Sequence, residues 1–435
     1  MRAAWIGWFV GCGLVLWGAV WPGAARAQDR EDAWADMANS LGTTGRVTVR
    51  GRVVEEEHPV ELDHARPGKE MSQDEFEDVT VGLTLRRLPS GAPISLGEFK
   101  TDHEGYLDRA LTLTDKALEA GDYVVEVHLD GRIIGRASVR LLAVGTPVEV
   151  VRSDVDLTYL VTDFHSKRAM AKLLLQTARD RRPLPGMPAV YHGLRSGDGG
   201  HVDRPLVFIS GSPRFFKRTL EGRMELDRVR QDGVFLKPFK ELARSRLRGF
   251  EPEAIVPALE EQVGFKLWTL LRGRLDLPAV ARELLLGDDS ECDFIVYNLY
   301  HRATAKLMSP KELGVALDDL GVASTWREPI LALLPEVLAL LDGQPTVVAI
   351  AINRTGRPNL AHPVDPWLIE GLTAVHDGAW PLALSLWERG YLSRDAVVAV
   401  REGLKGRLDG AVLEARTKEA VEAGLISAER VGTLP

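Results

Sequence analysis

The sequence predicts an α/β protein, a parallel sheet with helices on both faces, preceded by an all-β sandwich domain. Three observations predict it. Residues 44 to about 146 hold short runs in which apolar and polar residues alternate, with no helical stretch between them. From about residue 147, short apolar runs alternate with helical segments, the pattern of a parallel sheet covered on both faces. Each of those later runs ends in residues able to carry chemistry: Asp154 and Asp156, then Ser210-Gly211-Ser212, then Asp288-Asp289, then Asn353-Arg354.

Taken in order, residues 1–27 read as a signal peptide. Arg2 opens it, Ala3 to Val20 is apolar and uncharged, and Ala25-Arg26-Ala27 is a small-residue cleavage site before Gln28. The expectation is an exported protein, periplasmic or secreted after cleavage, with an uncleaved membrane anchor as the alternative. Cys292 is then the one cysteine left, so no intramolecular disulfide is expected. Residues 28–146 form the expected β-sandwich domain. Val47, Val49 and Val53 alternate with Thr48, Arg50 and Arg52, and Val79–Leu85, Tyr123–His128 and Ile133–Leu142 repeat the pattern. Asp130-Gly131 is a hairpin turn, and Thr101–Tyr106 is a tight turn between strands. Glu55–Asp78 reads as a long, acidic, exposed loop with His58 and His64 solvated.

Residues 147–435 form the α/β domain. Its apolar runs are Val148–Val151, Leu206–Ile209, Leu284–Leu286 and Val347–Ile352, and Gly233–Lys237 is strand-like. A helical insertion is expected near 303–344, with apolar residues at helical spacing from Leu331 to Leu341, and further helices close the C-terminus. The formal charge of −8 offers no surface for a polyanion, so nucleic acid is excluded as an expected partner. No protein partner can be read from the sequence.

In an open α/β sheet the ligand crevice lies beyond the carboxyl ends of the strands. Carboxylates from two strand ends and a hydroxyl from a third should converge there. Such a cluster, without His or Cys beside it, suits Mg²⁺, which binds one or two carboxylates together with a substrate phosphate. Asp154 is then placed to attack phosphorus and form an aspartyl-phosphate. Asp156, two residues on, is placed to give a proton to the leaving oxygen and take one from water. Thr158, Ser210 and Gly211 are candidate phosphate binders, and a lysine is needed to neutralise developing charge.

The same residues carry a family resemblance. Ser153-Asp154-Val155-Asp156-Leu157-Thr158, Pro185-Gly186-Met187 with Tyr191, Ile209-Ser210-Gly211-Ser212-Pro213, and Gly287-Asp288-Asp289-Ser290-Glu291-Cys292-Asp293 with Tyr297 occur in the order found in one group of haloacid dehalogenase-like phosphatases. The chain resembles an exported bacterial member of the phosphatidate phosphatases of the actin-patch-protein type, over roughly residues 147 to 400. The resemblance implies a haloacid dehalogenase-like sheet. It implies Asp154 as nucleophile and Asp156 as acid/base. It also implies Mg²⁺ held by Asp154, the Asp156 main chain, Asp288 and Asp293. Lys266 is its best phosphate lysine, with Lys237 and Lys240 as runners-up. Asp293 as a plain helix N-terminal acid is the competing structural reading.

The sequence departs from the family pattern at Leu157, at Arg152 on an otherwise apolar strand, and at Asp289-Ser290, where the added charge is expected in the metal's outer shell. The substrate implied is a phosphomonoester, phosphatidate at a membrane surface, cleaved to diacylglycerol and phosphate. The alternatives are an exported phosphatase for a non-lipid ester and a non-catalytic scaffold on the same fold.

Overall fold

The computed structural model describes residues 30–56, 60–116, 118–162, 172–197, 202–238, 255–356 and 362–434. The expected signal peptide, His58, Lys240 and residues 198–201 of a glycine-rich turn lie outside the described residues. No helix among those described is long and apolar enough to cross a membrane.

The first part of the chain holds eight strands: β1 (Ala33–Ala38), β2 (Ser40–Thr43), β3 (Arg46–Glu55), β4 (Thr80–Arg87), β5 (Pro93–Lys100), β6 (Tyr106–Thr112), β7 (Gly121–Leu129) and β8 (Arg132–Leu142). They join into one hydrogen-bonded network, because β2 pairs with β3 on one side and runs parallel to β8 on the other. Val47, Val49 and Val53 from one half share a core with Val81, Leu83, Leu85, Val125 and Val127 from the other. The expected sandwich is thus a sheet whose halves face each other across a common core. Asp130 and Gly131 both adopt positive φ, as a tight hairpin between β7 and β8 requires. Asp102 Oδ1 accepts from the Glu104 and Tyr106 amides and closes the turn before β6.

The exposed loop expected from Glu55 to Asp78 is corrected in part. It contains a short helix, α1 (Pro67–Met71), and buries Ala65, Glu70 and Phe76. Glu70 is drawn inward by Arg218 of the second domain, a partner that local sequence does not reveal.

The second part is a six-stranded sheet, β9 (Glu149–Ser153), β10 (Leu206–Pro213), β11 (Gly233–Lys237), β12 (Arg282–Asp288), β13 (Val347–Asn353) and β14 (Thr373–His376). Every pairing is parallel, in the order β11-β10-β9-β12-β13-β14. The order reverses at β9, and in such sheets the ligand crevice opens at that point.

Its helices are α2 (Met187–Ser196), α3 (Lys217–Leu226), α4 (Ile255–Arg274), α5 (Asp293–Thr304), α6 (Pro310–Asp319), α7 (Ser324–Leu341), α8 (Ala379–Glu388), α9 (Arg394–Leu404) and α10 (Gly410–Glu422). Alternate strand residues sort onto opposite faces. Val150, Val207, Ile209, Leu285, Ile350 and Ile352 pack with α4, α5, α6 and α7. Val151, Leu206, Phe208, Leu284, Leu286, Ala349 and Ala351 pack with α2, α3, α8 and α9. The insertion expected near 303–344 is α6 and α7, which extend the first of these layers.

Arg152 breaks the apolar pattern of β9 for a visible reason. Its guanidinium lies 2.9 Å from Glu283, on the neighbouring β12, and donates to Leu270 O at 2.7 Å. Tyr300 and Arg274 bond or face the same buried carboxylate.

Candidate active site

The motif at the end of β9 is held by its neighbours on both sides. The Asp154 amide donates to Leu286 O of β12 at 2.8 Å. Ser153 Oγ bonds to Tyr191 of α2 and donates to Asp154 O. Leu157 adopts φ +58°, a conformation that costs a non-glycine residue energy. Asn353, at the end of β13, donates to Leu157 O at 2.8 Å and accepts from the Gly378 amide, which fixes that turn from the far side.

Asp154, Asp288 and Asp293 come together as fully buried carboxylates, with one oxygen of each within 4.8 Å of the others. Lys266, carried on α4, reaches three carboxylates: Asp154 at 2.8 Å, Asp293 at 2.6 Å and Glu291 at 3.0 Å. Burial opposes its charge, but Asp154, Asp293 and Glu291 hold its pKa well above the usual lysine value. Burial, together with Asp293, Glu291 and Asp288, pushes Asp154 well above the usual carboxylate range against the pull of Lys266. Asp288 is raised in the same way, by burial and then by Asp293 and Glu291.

The remaining contacts divide these carboxylates into held and free oxygens. Asp288 Oδ1 accepts from the Ser290 and Glu291 amides at 2.6 and 3.2 Å. Asp293 Oδ2 accepts from the Asp288 amide. Asp154 Oδ2 and Asp288 Oδ2 are buried without a hydrogen-bond partner. Four carboxylates around one lysine, with two bare oxygens among them, leave negative charge uncompensated in a dry site. An all-oxygen donor set with that deficit fits a hard divalent cation such as Mg²⁺. Asp293 does open α5, as the competing reading had it, but its side chain accepts from Lys266 and from the Asp288 amide.

Asp156 is separate from this cluster. Its Oδ1 accepts from Thr162 at 2.6 Å, and its Oδ2 accepts from Ser210 at 3.0 Å and Ser212 at 2.8 Å. The register of β10 against β11 shifts between Ser210 and Pro213, which turns this hydroxyl loop toward β9. A Cβ at Gly211 would lie 2.9 Å from the end of the Gln262 side chain, so the hydroxyl loop runs close against α4 there. Thr158 Oγ is buried and unpartnered.

Two further residues singled out in the sequence have other partners. Lys237 is paired with Glu261. Asp289 does not turn to the cluster; its carboxylate accepts from the Thr355 amide and hydroxyl at 2.8 and 2.6 Å, tying the loop to the chain after β13. Sequence reasoning missed Arg181. It is 3 % exposed, its Nε has no partner, and its guanidinium stacks 5.0 Å from the Phe216 ring, within the field of Asp156. Burial holds its pKa below the usual arginine value. No local motif marks it; the signal is a buried cation without an ion pair among the described residues.

No curated protein gives a significant match. Among solved structures, the chain is similar to the Pseudomonas fluorescens alkylpurine DNA glycosylase AlkC at 15% identity and TM-score 0.17, over 25% of this chain and 30% of that one. It spans less than a third of that protein's length. An immunoglobulin-like protein from Pseudomonas aeruginosa matches at 10% identity and TM-score 0.15, over 27% of this chain and all of that one. A polysaccharide deacetylase from Bacillus cereus matches at 9% identity and TM-score 0.16, over 73% and 81%. Likenesses this weak say nothing of the chemistry. Residues 149–306, which span the site from Asp154 to Asp293, match the model of the catalytic domain of the phosphatidate phosphatase APP1, a family of phosphoric monoester hydrolases.

Proposed function

We propose that the protein is an exported, Mg²⁺-dependent phosphatase that hydrolyses phosphatidate to diacylglycerol and phosphate through an aspartyl-phosphate on Asp154. One observation carries the mechanism. A buried nucleophile-grade carboxylate oxygen, Asp154 Oδ2, is bare while its twin is held by Lys266. Asp154, the Asp156 main chain, Asp288 and Asp293 would hold Mg²⁺, which when bound offsets the charge of the carboxylates and of the incoming phosphoryl group.

The chain's own residues supply the rest. Asp154 Oδ2 attacks phosphorus as the ester P–O bond breaks. Asp156 passes a proton to the departing oxygen, then takes one from the water that attacks the aspartyl-phosphate. That second step releases inorganic phosphate and restores the Asp154 carboxylate. Ser210, Ser212 and Lys266 are the donors this reading assigns to the phosphoryl oxygens.

The lipid reading has a local support beside the family match. A surface pocket next to the Thr162 that bonds Asp156 is lined by Val161 and Leu175 and by three cations, Lys172, Arg181 and Arg182, against one acid, Asp180. Val161 and Leu175 are 51 % and 72 % exposed. Exposed aliphatic side chains among cations suit an anionic ester presented at a lipid surface.

The test is phosphate release from phosphatidate vesicles and from a panel of soluble phosphomonoesters, with and without Mg²⁺, beside Asp154→Asn. The expected result is Mg²⁺-dependent release from vesicles that Asp154→Asn abolishes. Release from soluble esters alone would sink the lipid substrate and keep the mechanism. No release from any ester by the wild type would sink both.

A further inference from the structure

We propose that the cavity between the β-domain and the α/β domain is a second anion-binding site, built for a small phosphate- or carboxylate-bearing molecule and held by Arg50 and Arg214. The cavity measures about 90 Å³. About 10–15 Å³ of such space holds one water, so it can take a ligand of several heavy atoms. Arg50 and Arg52 on β3 and Tyr106 and Asp108 on β6 form one wall. Arg214, Phe235 and the α4 residues Trp268 and Arg272 form the other.

The pairing of the charges identifies the ligand class. Arg272 is matched by Asp108, Lys217 by Asp36, and Arg52 by Glu75. Arg50 and Arg214 make no ion pair among the described residues. Each instead lays its guanidinium on an aromatic ring, Arg50 at 3.4 Å from the Phe235 centroid and Arg214 at 4.4 Å from that of Tyr106. Stacking fixes a guanidinium's plane and leaves its N–H edge for a planar or tetrahedral oxyanion. Arg50 Nε is buried with no acceptor. Burial first, with Arg272 and Arg214 beside it, lowers the Arg50 pKa to about 10 against the pull of Asp108 and Asp276, neither of which pairs with it. The aromatic rings supply contact for whatever the oxyanion carries.

The site is distinct from the catalytic carboxylates, yet α4 bears both. Phe265, Trp268 and Arg272 face the cavity, and Lys266 faces Asp154. The β-domain contributes half of the wall, which gives it a role in binding.

Thermal unfolding of the full chain in sulfate, in acetate and in chloride at equal ionic strength tests this. The two anions stand for phosphate and carboxylate ligands. At least one should raise the midpoint above chloride, and the increment should survive Ser210→Ala but fall by half or more in Arg50→Met/Arg214→Met. Phosphatase activity of that double variant should stay within about twofold of wild type. If the double variant does not fold, Arg214→Gln, at a half-buried position, must show the same loss. An increment absent for both anions, or lost with Ser210→Ala and kept without the two arginines, overturns the proposal.

Discussion

Asp154, Asp288, Glu291 and Asp293 surround a single lysine, and that imbalance makes the metal-free site a source of instability. Removing one charge should relieve it. Asp288→Asn is expected to raise metal-free stability by about 1–3 kcal/mol while lowering Mg²⁺-dependent activity by roughly 10²-fold or more. Urea unfolding with EDTA and with Mg²⁺ checks this: the wild type should gain stability from Mg²⁺ and the variant should not. Arg181 makes the opposite case, a buried cation that faces Asp156 without an ion pair among the described residues. Arg181→Met should leave stability unchanged or improved, and should lower kcat/KM by about 10²-fold, with Arg181→Lys partly restoring it. A destabilised variant with normal kcat/KM would make Arg181 a packing residue. The first group was legible in the sequence because each member sits in a short motif at a strand end. Arg181 and Thr162 were not, because what assigns them is nearness to Asp156 in the folded site; Asn353 was read as a strand-end residue, but its hold on the Leu157 turn appears only when β13 closes beside β9.

At the scale of elements, α4 aims Lys266, and its placement depends on Gly264. A Cβ there would lie 2.6 Å from Cβ of Trp326 on α7, so the two helices touch at a residue with no side chain. Gly264→Ala should cost about 1–3 kcal/mol as the helices part. The shift should also move Lys266 off Asp154 and lower kcat by about tenfold or more. Chemical denaturation and steady-state kinetics on the one variant test both; a loss of stability with kcat intact would show that α4 tilts without moving Lys266. Strands β9, β10, β12 and β13 were legible because both their faces are buried, which makes each a continuous apolar run. β14 was not: four residues, Thr373-Ala374-Val375-His376, give no periodicity to count. β1 and β2 escaped for a similar reason: they are six and four residues long, with Asn39 between them.

The two sheets meet across a seam of charge, and the seam was illegible because its partners lie far apart in sequence. Arg218 of α3 serves two carboxylates, Glu70 at 3.0 Å and Glu56 at 3.4 Å, with Asp36 and Lys217 close by. Burial first, and then Asp36 and Glu56, raise the Glu70 pKa from 4.5 to about 7 against the pull of Arg218. Between those two values the folded protein keeps a proton on Glu70 that the unfolded chain has released. Stability therefore falls as pH rises through that window, by up to about 3 kcal/mol, and this contribution is flat above it. Glu70→Gln copies the protonated state and removes the slope. It should match the wild type near pH 4.5 and exceed it by about 3 kcal/mol at pH 8. Urea midpoints of both proteins across that range decide the matter. Parallel profiles would mean that Arg218 keeps Glu70 ionised throughout and that the domains are joined by a plain ion pair. Converging profiles at low pH would mean that the seam is tightest when one of its two carboxylates is neutral.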